Sequence, residues 1–389
     1  MEYRNLNELC EINIGKTPSR NKQEYWGAGY KWLSISDLKD KYLDKSKEEI
    51  TELAVDKANM KIVPKDTVIM SFKLSIGKIA ILKEDMFTNE AIANFPIKDK
   101  NIIKPEYLYY ALKTLNFNNT DRAVMGATLN KSKLNEIKIP YCNVNNQEKI
   151  VEVLDKAQEL IDKRREQIEA LDELVKSRFV EIFGDPVKNK KDWEVKKLGN
   201  ISSVGSSKRV FVNELVEKGI PFYRGTEIGE LSTGKNINPT LFITEKHYNR
   251  LRESTGVPVI GDLLMPSICP DGKIWRVDTK KPFYFKDGRV LWVHLEDINI
   301  NSLYLKHMLC EKFIREYNRI ASGTTFSELK IFALKDVDIL IPPIELQNEF
   351  ADFVKQVDKL KFKMENSLKE LEDNFNSLMQ KAFKGELFK

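Results

Sequence analysis

Residues 147–183 read QEKIVEVLDKAQELIDKRREQIEALDELVKSRFVEIF, and residues 347–383 read QNEFADFVKQVDKLKFKMENSLKELEDNFNSLMQKAF. Both stretches open on a glutamine, and they lie 200 positions apart. In the first, Ile150, Leu154, Ala157, Ile161, Ile168, Leu171, Val175 and Ile182 recur at intervals of three, four or their sum. In the second, Phe350, Val354, Val357, Leu368, Leu371, Phe375 and Ala382 fall at matching places. This spacing puts the apolar residues on one face of an α-helix, sustained over about five heptads. Val153, Leu160, Leu174, Phe353, Leu360 and Leu378 are expected to widen that face, and Arg164 and Lys361 interrupt it. A helix of about 36 residues is about 54 Å long at 1.5 Å per residue, too long to bury in a small domain. Each apolar face therefore needs a partner, and the other copy is the nearest one. Copies related by a pseudo-twofold axis would pair antiparallel as a coiled coil. The rival reading is two ordinary helices of one helical domain.

Upstream of each glutamine the two halves also resemble one another, in pattern more than in letters. Leu9, Ile12, Ile14 and Gly15 match Leu198, Ile201, Val204 and Gly205. YKWLSISDL at 30–38 matches IPFYRGTEI at 220–228, with an acidic residue next to last in both. KDTVIMSFKLSIGKIAIL at 65–82 matches GDLLMPSICPDGKIWRV at 261–277. There Asp66 and Asp262 start a strand, Ser71 and Ser267 end it, and a turn at Gly77 and Gly272 opens the next. YLYYAL at 107–112 matches YLKHML at 304–309, a short helix. Gly126 and Gly323 then lead to Ile139-Pro140 and Ile341-Pro342.

The expected organisation is a first globular domain at 1–145, a long central helix at 146–185, a second globular domain at 186–346 and a last helix at 347–389. Gly184 and Pro186 stop the central helix and Gly385 the last one. A basic linker, VKNKKDW, follows the first stop. The domains mix short strands with helices and lack βαβα alternation, which predicts two similar α+β domains, each with a curved, mainly antiparallel sheet.

The chain has 389 residues, 42% of them hydrophobic and 31% charged, an ordinary globular composition with no stretch that reads as disordered. No run of about 18 apolar residues suggests a membrane span. The opening MEYRNLNELC lacks the basic start and apolar stretch of a signal peptide, and Cys10, Cys142, Cys269 and Cys310 are far apart with no CxxC. A reducing, cytoplasmic setting is expected. His247, His294 and His307 form no ligand-like pair, so no metal site is expected. A net charge of +5 permits nucleic-acid binding without requiring it.

Catalytic signatures are scarce. Asn238-Pro239-Thr240-Leu241 lacks the second proline and the aromatic of an amino-methyltransferase motif, and no GxGxxG occurs. Gly77-Lys78 and Gly272-Lys273 lack the upstream glycine of a nucleotide-binding loop and read as β-turns. Asp271, Asp278 and Lys280 superficially match a PD-(D/E)xK nuclease, with short spacing and no counterpart in the first copy. That nuclease is the alternative reading, and a scaffold binding only proteins is a third.

DNA-contact candidates are more numerous. Lys16, Thr17, Ser19 and Arg20, with Lys208 and Arg209 in the second copy, lie in small-residue loops whose amides, hydroxyls and cations suit phosphates. Ser71, Lys73 and Lys78, with Ser267, Lys273 and Arg276, flank the glycine turns. Thr128, Asn130 and Lys131, with Thr324 and Thr325, form a third pair of loops, and Arg224 and Thr226 lie in the 220–228 block. Arginine reads guanine and asparagine reads adenine by bidentate bonds. Ordinary solvated turns are the competing explanation at every one of these positions.

The junction SRFVEIFGDPVKNKKDWEVKKL at 177–198, the ending QKAFKGELF at 380–388 and the opening LNELCEINIGKTPS at 6–19 resemble the specificity subunits of type I restriction-modification systems, and the likeness spans the chain. The resemblance implies a non-catalytic subunit with two target-recognition domains, each reading one part of a split sequence in double-stranded DNA. It implies that the paired helices space the domains and dock two modification (methyltransferase) subunits, which use S-adenosylmethionine to methylate adenine N6 on a flipped-out base. Restriction subunits would add ATP- and Mg²⁺-dependent translocation and cleavage, leaving no cofactor to this chain. A rod of about 54 Å is comparable to about 16 base pairs at 3.4 Å each. One departure stands out: IPPIELQ enters the last helix tightly, whereas IPYCNVNNQ is longer, so a looser exit from the first domain is expected.

Overall fold

The computed structural model describes residues 1–73, 75–115, 130–323 and 327–388. The chain divides into two compact units, residues 1–166 with 365–389, and residues 167–364. Each unit thus holds one globular domain together with part of the helix Val144–Phe183 and part of the helix Ile344–Lys384. No helix among the described residues is long and apolar enough to cross a membrane.

In the first unit the main sheet has the order Asn13–Ile14, Ile92–Phe95, Val68–Ser71, Ile79–Leu82, Tyr42–Leu43. Its three inner strands, IANF, VIMS and IAIL, are buried along their whole length, which is why they read as near-continuous apolar runs. A second sheet joins Glu48–Ile50, Trp26–Leu33 and Phe87–Thr88, and a two-stranded ribbon pairs Glu2–Asn5 with Lys138–Tyr141. The helix Pro105–Lys113 carries its proline at the first turn, where no amide hydrogen is needed.

The second unit repeats this plan. Its main sheet runs Ser202–Gly205, Val290–Leu295, Leu263–Pro266, Trp275–Arg276, lacking only a counterpart of Tyr42–Leu43. Its second sheet again contains a parallel pair, Ile220–Tyr223 with Tyr284–Phe285, matching Trp26–Leu33 with Phe87–Thr88. Most other pairings in both units are antiparallel. The predicted α+β class and duplicated topology are therefore observed.

Strand registers correct the sequence alignment in three places. The short helices Leu6–Leu9 and Leu198–Ile201 are equivalent, because the Leu6 amide donates to the Ile137 carbonyl (2.7 Å) and the Leu198 amide to the Val337 carbonyl (2.9 Å). Leu6, not Leu9, is thus the partner of Leu198. Similarly the Asp66 and Gly261 amides bond the Leu82 and Val277 carbonyls, and both residues have positive φ (60° and 99°). Asp262 therefore matches Thr67. Lastly, Glu2 pairs with Tyr141 and Glu194 with Ile341, so Pro140 is equivalent to Leu340 and the offset of 200 already holds there.

That last correction removes the expected difference between the exits. From Tyr141 and from Ile341 the two connections to the glutamines are equal in length. The glutamines, both fully buried, make the same three bonds. Gln147 accepts from the Lys104 amide (3.0 Å) and donates to the Ile102 and Cys142 carbonyls (2.8 Å each). Gln347 accepts from the Asn301 amide (2.9 Å) and donates to the Asn299 (3.2 Å) and Pro342 (2.8 Å) carbonyls. The helices begin three residues before each glutamine, which makes them 40 and 41 residues long.

The helices pack against each other within each unit. In the first, Ile150 and Leu154 share a core with Met379, Ala382 and Phe383, with Phe375 packed against it, and Arg165 pairs with Glu372 at 2.6 Å. In the second, Leu171, Val175, Phe179 and Phe183 share a core with Phe350, Ala351, Val354 and Val357. Lys361, which interrupts the stripe, bonds both oxygens of Asp172 across the pair (2.6 and 2.8 Å). Early residues of one helix thus meet late residues of the other, the antiparallel arrangement. Ile161 is buried, and Ala157, Ile168, Leu368 and Leu371 are half-buried. Leu160, Leu174 and Leu360, expected to widen the face, are exposed instead.

The segment read as a basic linker is a helix cap. Lys191 donates to the Glu181 and Ile182 carbonyls (2.7 and 2.8 Å), and the Trp193 indole donates to the Phe183 carbonyl (2.9 Å). These are carbonyls a helix end leaves without an intrahelical partner. Asp185 accepts from the Val187 and Lys188 amides and pairs with Arg315 at 2.9 Å.

Candidate nucleic-acid interface

The loop after the first edge strand is anchored in both domains, by different groups in each. In the first, the Gly15 amide bonds the Ile92 carbonyl (3.0 Å) and the Lys16 amide the Thr88 carbonyl (2.8 Å). A side chain at Gly15 would put its Cβ 2.2 Å from the Asn89 carbonyl oxygen, so only glycine fits. Two tryptophans support the loop from the central strand of the second sheet. The Trp32 indole donates to the Lys16 carbonyl (3.0 Å), and the Trp26 indole to the Ser19 carbonyl (3.2 Å). The strand is irregular between Trp26 and Tyr30, both of which pair with Ile50, and the two indole rings meet edge-on at 5.0 Å. Arg20 lies 3.7 Å over the Trp26 ring and bonds Glu48 through both nitrogens (2.5 and 2.9 Å). That bond holds the Glu48 carboxyl below its usual range and raises the Arg20 guanidinium. Thr17 bonds Glu90, and Lys16 Nζ donates to the Ala58 carbonyl (2.5 Å). Ser19 is exposed.

In the second domain the anchors are side chains of the loop itself. Ser206 donates to the Val290 carbonyl (2.7 Å) and Ser207 to the Phe285 carbonyl (2.6 Å), while the Lys208 amide donates to the Tyr284 hydroxyl (3.0 Å). Lys208 and Arg209 are exposed, and Arg209 contacts Asp287 at 3.3 Å. The predicted cations therefore stand on anchored loops, and two of them, Arg20 and Arg209, are already engaged by a carboxylate that an incoming phosphate would have to displace.

The glycine turns differ from expectation. Ser71 is buried; its hydroxyl donates to the Ser75 carbonyl (2.5 Å) and accepts from the Lys78 amide (3.0 Å). Ser267 is buried too, its carbonyl accepting from the Leu329 amide (2.7 Å) and the Tyr317 hydroxyl (3.1 Å). Ser71 closes the turn with its hydroxyl, whereas Ser267 is tied by its backbone to segments outside the turn, so neither is the exposed hydroxyl expected. Lys78 and Lys273 are exposed, with Lys273 paired to Asp271 (2.7 Å); Lys73 is half-buried, with its ammonium 5.3 Å from the Phe72 ring. Arg276 is half-buried and donates to Ser302 (2.7 Å).

Arg224 precedes the helix Gly225–Leu231 and pairs with Glu227 (2.6 Å), whose carboxylate also accepts the Arg224 amide (2.9 Å). Ser34 and Asp37 make the same amide bond in the first domain (2.8 Å). The acidic residue shared by the two blocks is thus a helix cap. Thr226 is exposed. Asn130 caps the helix Lys131–Asn135 by accepting from the Lys133 amide (2.9 Å), and Lys131 is exposed. Thr128, Thr324 and Thr325 lie outside the described residues.

Among the described residues no group of three His, Cys, Asp or Glu side chains is placed to hold a metal ion. Asp271, with its partner Lys273, precedes the strand Trp275–Arg276, and Asp278 and Lys280 follow it. Sequence reading missed the tryptophan platform, because the strand between the two tryptophans is irregular and their spacing does not give their facing, and it missed the helix cap in the junction.

The family model for the type I restriction modification DNA specificity domain matches residues 1–170 and again 190–373. The chain is 29% identical over 422 aligned positions to the type I restriction enzyme MjaIX specificity subunit of Methanocaldococcus jannaschii, covering 99% of this chain and 93% of that one. It is 31% identical to the EcoR124I/EcoR124II specificity subunit of Escherichia coli over a shorter stretch, 40% of each chain. Among solved structures, the S subunit from M. genitalium superposes with a TM-score of 0.52 over 98% of this chain and 96% of that one. A chain from a structure of a type I R-M system superposes with a TM-score of 0.62, over 99% and 98%. Each is 17% identical, which supports the shared fold. With both repeats matched and the same topology built twice, the chain belongs to the type I restriction-modification DNA specificity family.

Proposed function

We propose that this chain is the non-catalytic DNA-reading subunit of a type I restriction-modification complex, each domain reading one part of a split sequence in double-stranded DNA. The observation that carries this is the duplication itself: one topology and one glutamine clamp, made twice in a chain matched twice by one family model. The contacts we assign to DNA are the loops of Lys16, Thr17, Ser19 and Arg20 and of Lys208 and Arg209, with Lys73, Lys78, Lys131, Arg224, Thr226, Lys273 and Arg276 as further candidates. Loop cations of this kind fix position through phosphates, and a subset reaches base edges.

On this reading, two methyltransferase subunits dock against the paired helices, whose exposed Leu160, Leu174 and Leu360 offer apolar contact. The methyltransferases bring S-adenosylmethionine, and restriction subunits bring ATP and Mg²⁺. The complex works in the cytoplasm, and the length of the helices sets the gap between half-sites.

The test is methylome sequencing of cells expressing this chain with its cognate methyltransferase subunit. The expected result is N6-methyladenine in one two-part motif that disappears when this chain is omitted. Methylation independent of this chain, or Mg²⁺-dependent DNA cleavage by the purified chain alone, would overturn the proposal.

A further inference from the structure

The two recognition loops end differently. In the second domain the loop passes from Lys208 and Arg209 through buried Val210 to Phe211 and Val212, which are 58% and 83% exposed. Strand pairing fixes the equivalent residues in the first domain. Leu215 faces Ile243 as Trp26 faces Ile50, so Phe211 and Val212 correspond to Lys22 and Gln23, both polar. The first domain thus carries an ordinary solvated tip, and the second carries two consecutive bare apolar side chains.

That apolar tip is held rigidly. On one side Ser207 and the Lys208 amide are bonded to Phe285 and Tyr284, and Val210 is packed with Phe222, Tyr248 and Leu251. On the other side the Phe211 amide donates to Glu214 (2.9 Å), and Glu214 in turn accepts from Arg250 (3.4 Å). A fixed turn that displays two large apolar groups while its neighbours are Lys208 and Arg209 suits an occupant with an anionic border and an apolar interior. Duplex DNA has that chemistry: phosphates outside, stacked bases within. Apolar side chains inserted at a base step unstack it and bend the duplex.

We propose that Phe211 and Val212 form a wedge that enters the DNA at one base step of the half-site read by the second domain, with Lys208 and Arg209 holding the flanking phosphates. The proposal rests on the DNA-reading function proposed above and makes the two half-sites mechanically unequal. Beyond the base flipped for methylation, one is read with its base stack intact and the other with one step unstacked.

The experiment uses the assembled complex of the full chain with its methyltransferase subunits. Duplexes carry the motif found by methylome sequencing, with 2-aminopurine placed at successive positions in both half-sites. Apart from the target adenines, which the methyltransferases flip out and which brighten with or without a wedge, the wild-type complex is expected to brighten the probe at one further step, in one half-site only. Phe211→Ser with Val212→Ser should abolish that signal and weaken specific binding about tenfold or more, the scale of losing one aromatic–base contact. Affinity for unrelated DNA, thermal stability and elution as an assembled complex should not change. Phe211→Leu with Val212→Ile should restore the signal. A variant that brightens and binds as wild type overturns the wedge while leaving the DNA-reading function standing. A variant that no longer assembles also overturns it, because the tip then belongs to a protein contact. A wild-type complex with no preference for its motif overturns both readings.

Discussion

Gln147 and Gln347 show how one side chain joins a recognition domain to its helix. Each is fully buried and spans three backbone groups from two chain segments. Replacing either with leucine keeps the volume but leaves those groups without partners, at about 1–3 kcal/mol apiece. Gln347→Leu should therefore lower the free energy of unfolding measured in urea by several kcal/mol, and Gln147→Leu equally so; a change within about 0.5 kcal/mol, the range of ordinary surface substitutions, would show the clamp to be ornamental. His307 gives a prediction in pH. Burial, with a smaller contribution from Lys306, pushes its imidazole down to about 3, and its ring stands edge-on to Phe350 at 5.3 Å. The unfolded chain binds its proton near pH 6.5 and the folded chain does not. Stability is therefore unaffected above that value and falls as pH drops from about 6.5 toward 3, by at most about 1.4 kcal/mol per unit. His307→Gln, which cannot take up the proton, should flatten that part of the stability profile measured by denaturant unfolding.

The helix Val144–Phe183 ends on a cap supplied from outside itself, which accounts for the junction string at 177–198 as chemistry. Lys191→Met keeps the stem and removes the ammonium from two carbonyls at the negative end of the helix. We expect a loss of about 1 kcal/mol in thermal unfolding, which added salt should not restore. The helices themselves were legible in the sequence because their apolar period persists for many turns, and so was the domain duplication. The registers within the domains were not. Leu6, Leu9 and Ile12 repeat at intervals of three, so sliding one copy by three residues gives nearly as good a match as the true one. Only hydrogen bonds such as Leu6 to Ile137 and Leu198 to Val337 distinguish the two. Ser71 was misread for a related reason: a serine beside a glycine turn looks the same in sequence whether its hydroxyl faces solvent or closes the turn. The exposed leucines at 160, 174 and 360 show the same limit, since periodicity gives the face of a helix but not how wide a partner covers it.

For the molecule as a whole, the functional proposal makes the two long helices a ruler. Each contributes to both units, and in each unit early residues of one meet late residues of the other. Removing one heptad from both preserves the apolar register, because seven residues return the stripe to the same face. Deleting residues 163–169 together with 363–369 removes equivalent stretches and leaves the pairs Asp172–Lys361 and Arg178–Glu349 intact. Seven residues at 1.5 Å are about 10 Å, or about three base pairs at 3.4 Å each. The shortened chain, expressed with its methyltransferase subunit, should methylate a motif with the same two half-sites and a gap about three base pairs shorter. Deleting either heptad alone leaves one helix about 10 Å shorter than its partner, so both shared cores cannot keep their register, and should destabilise the chain without yielding a new motif. Methylome sequencing reads both results. An unchanged gap in the double deletion would show that DNA distortion or the partner subunits, rather than helix length, determine the spacing.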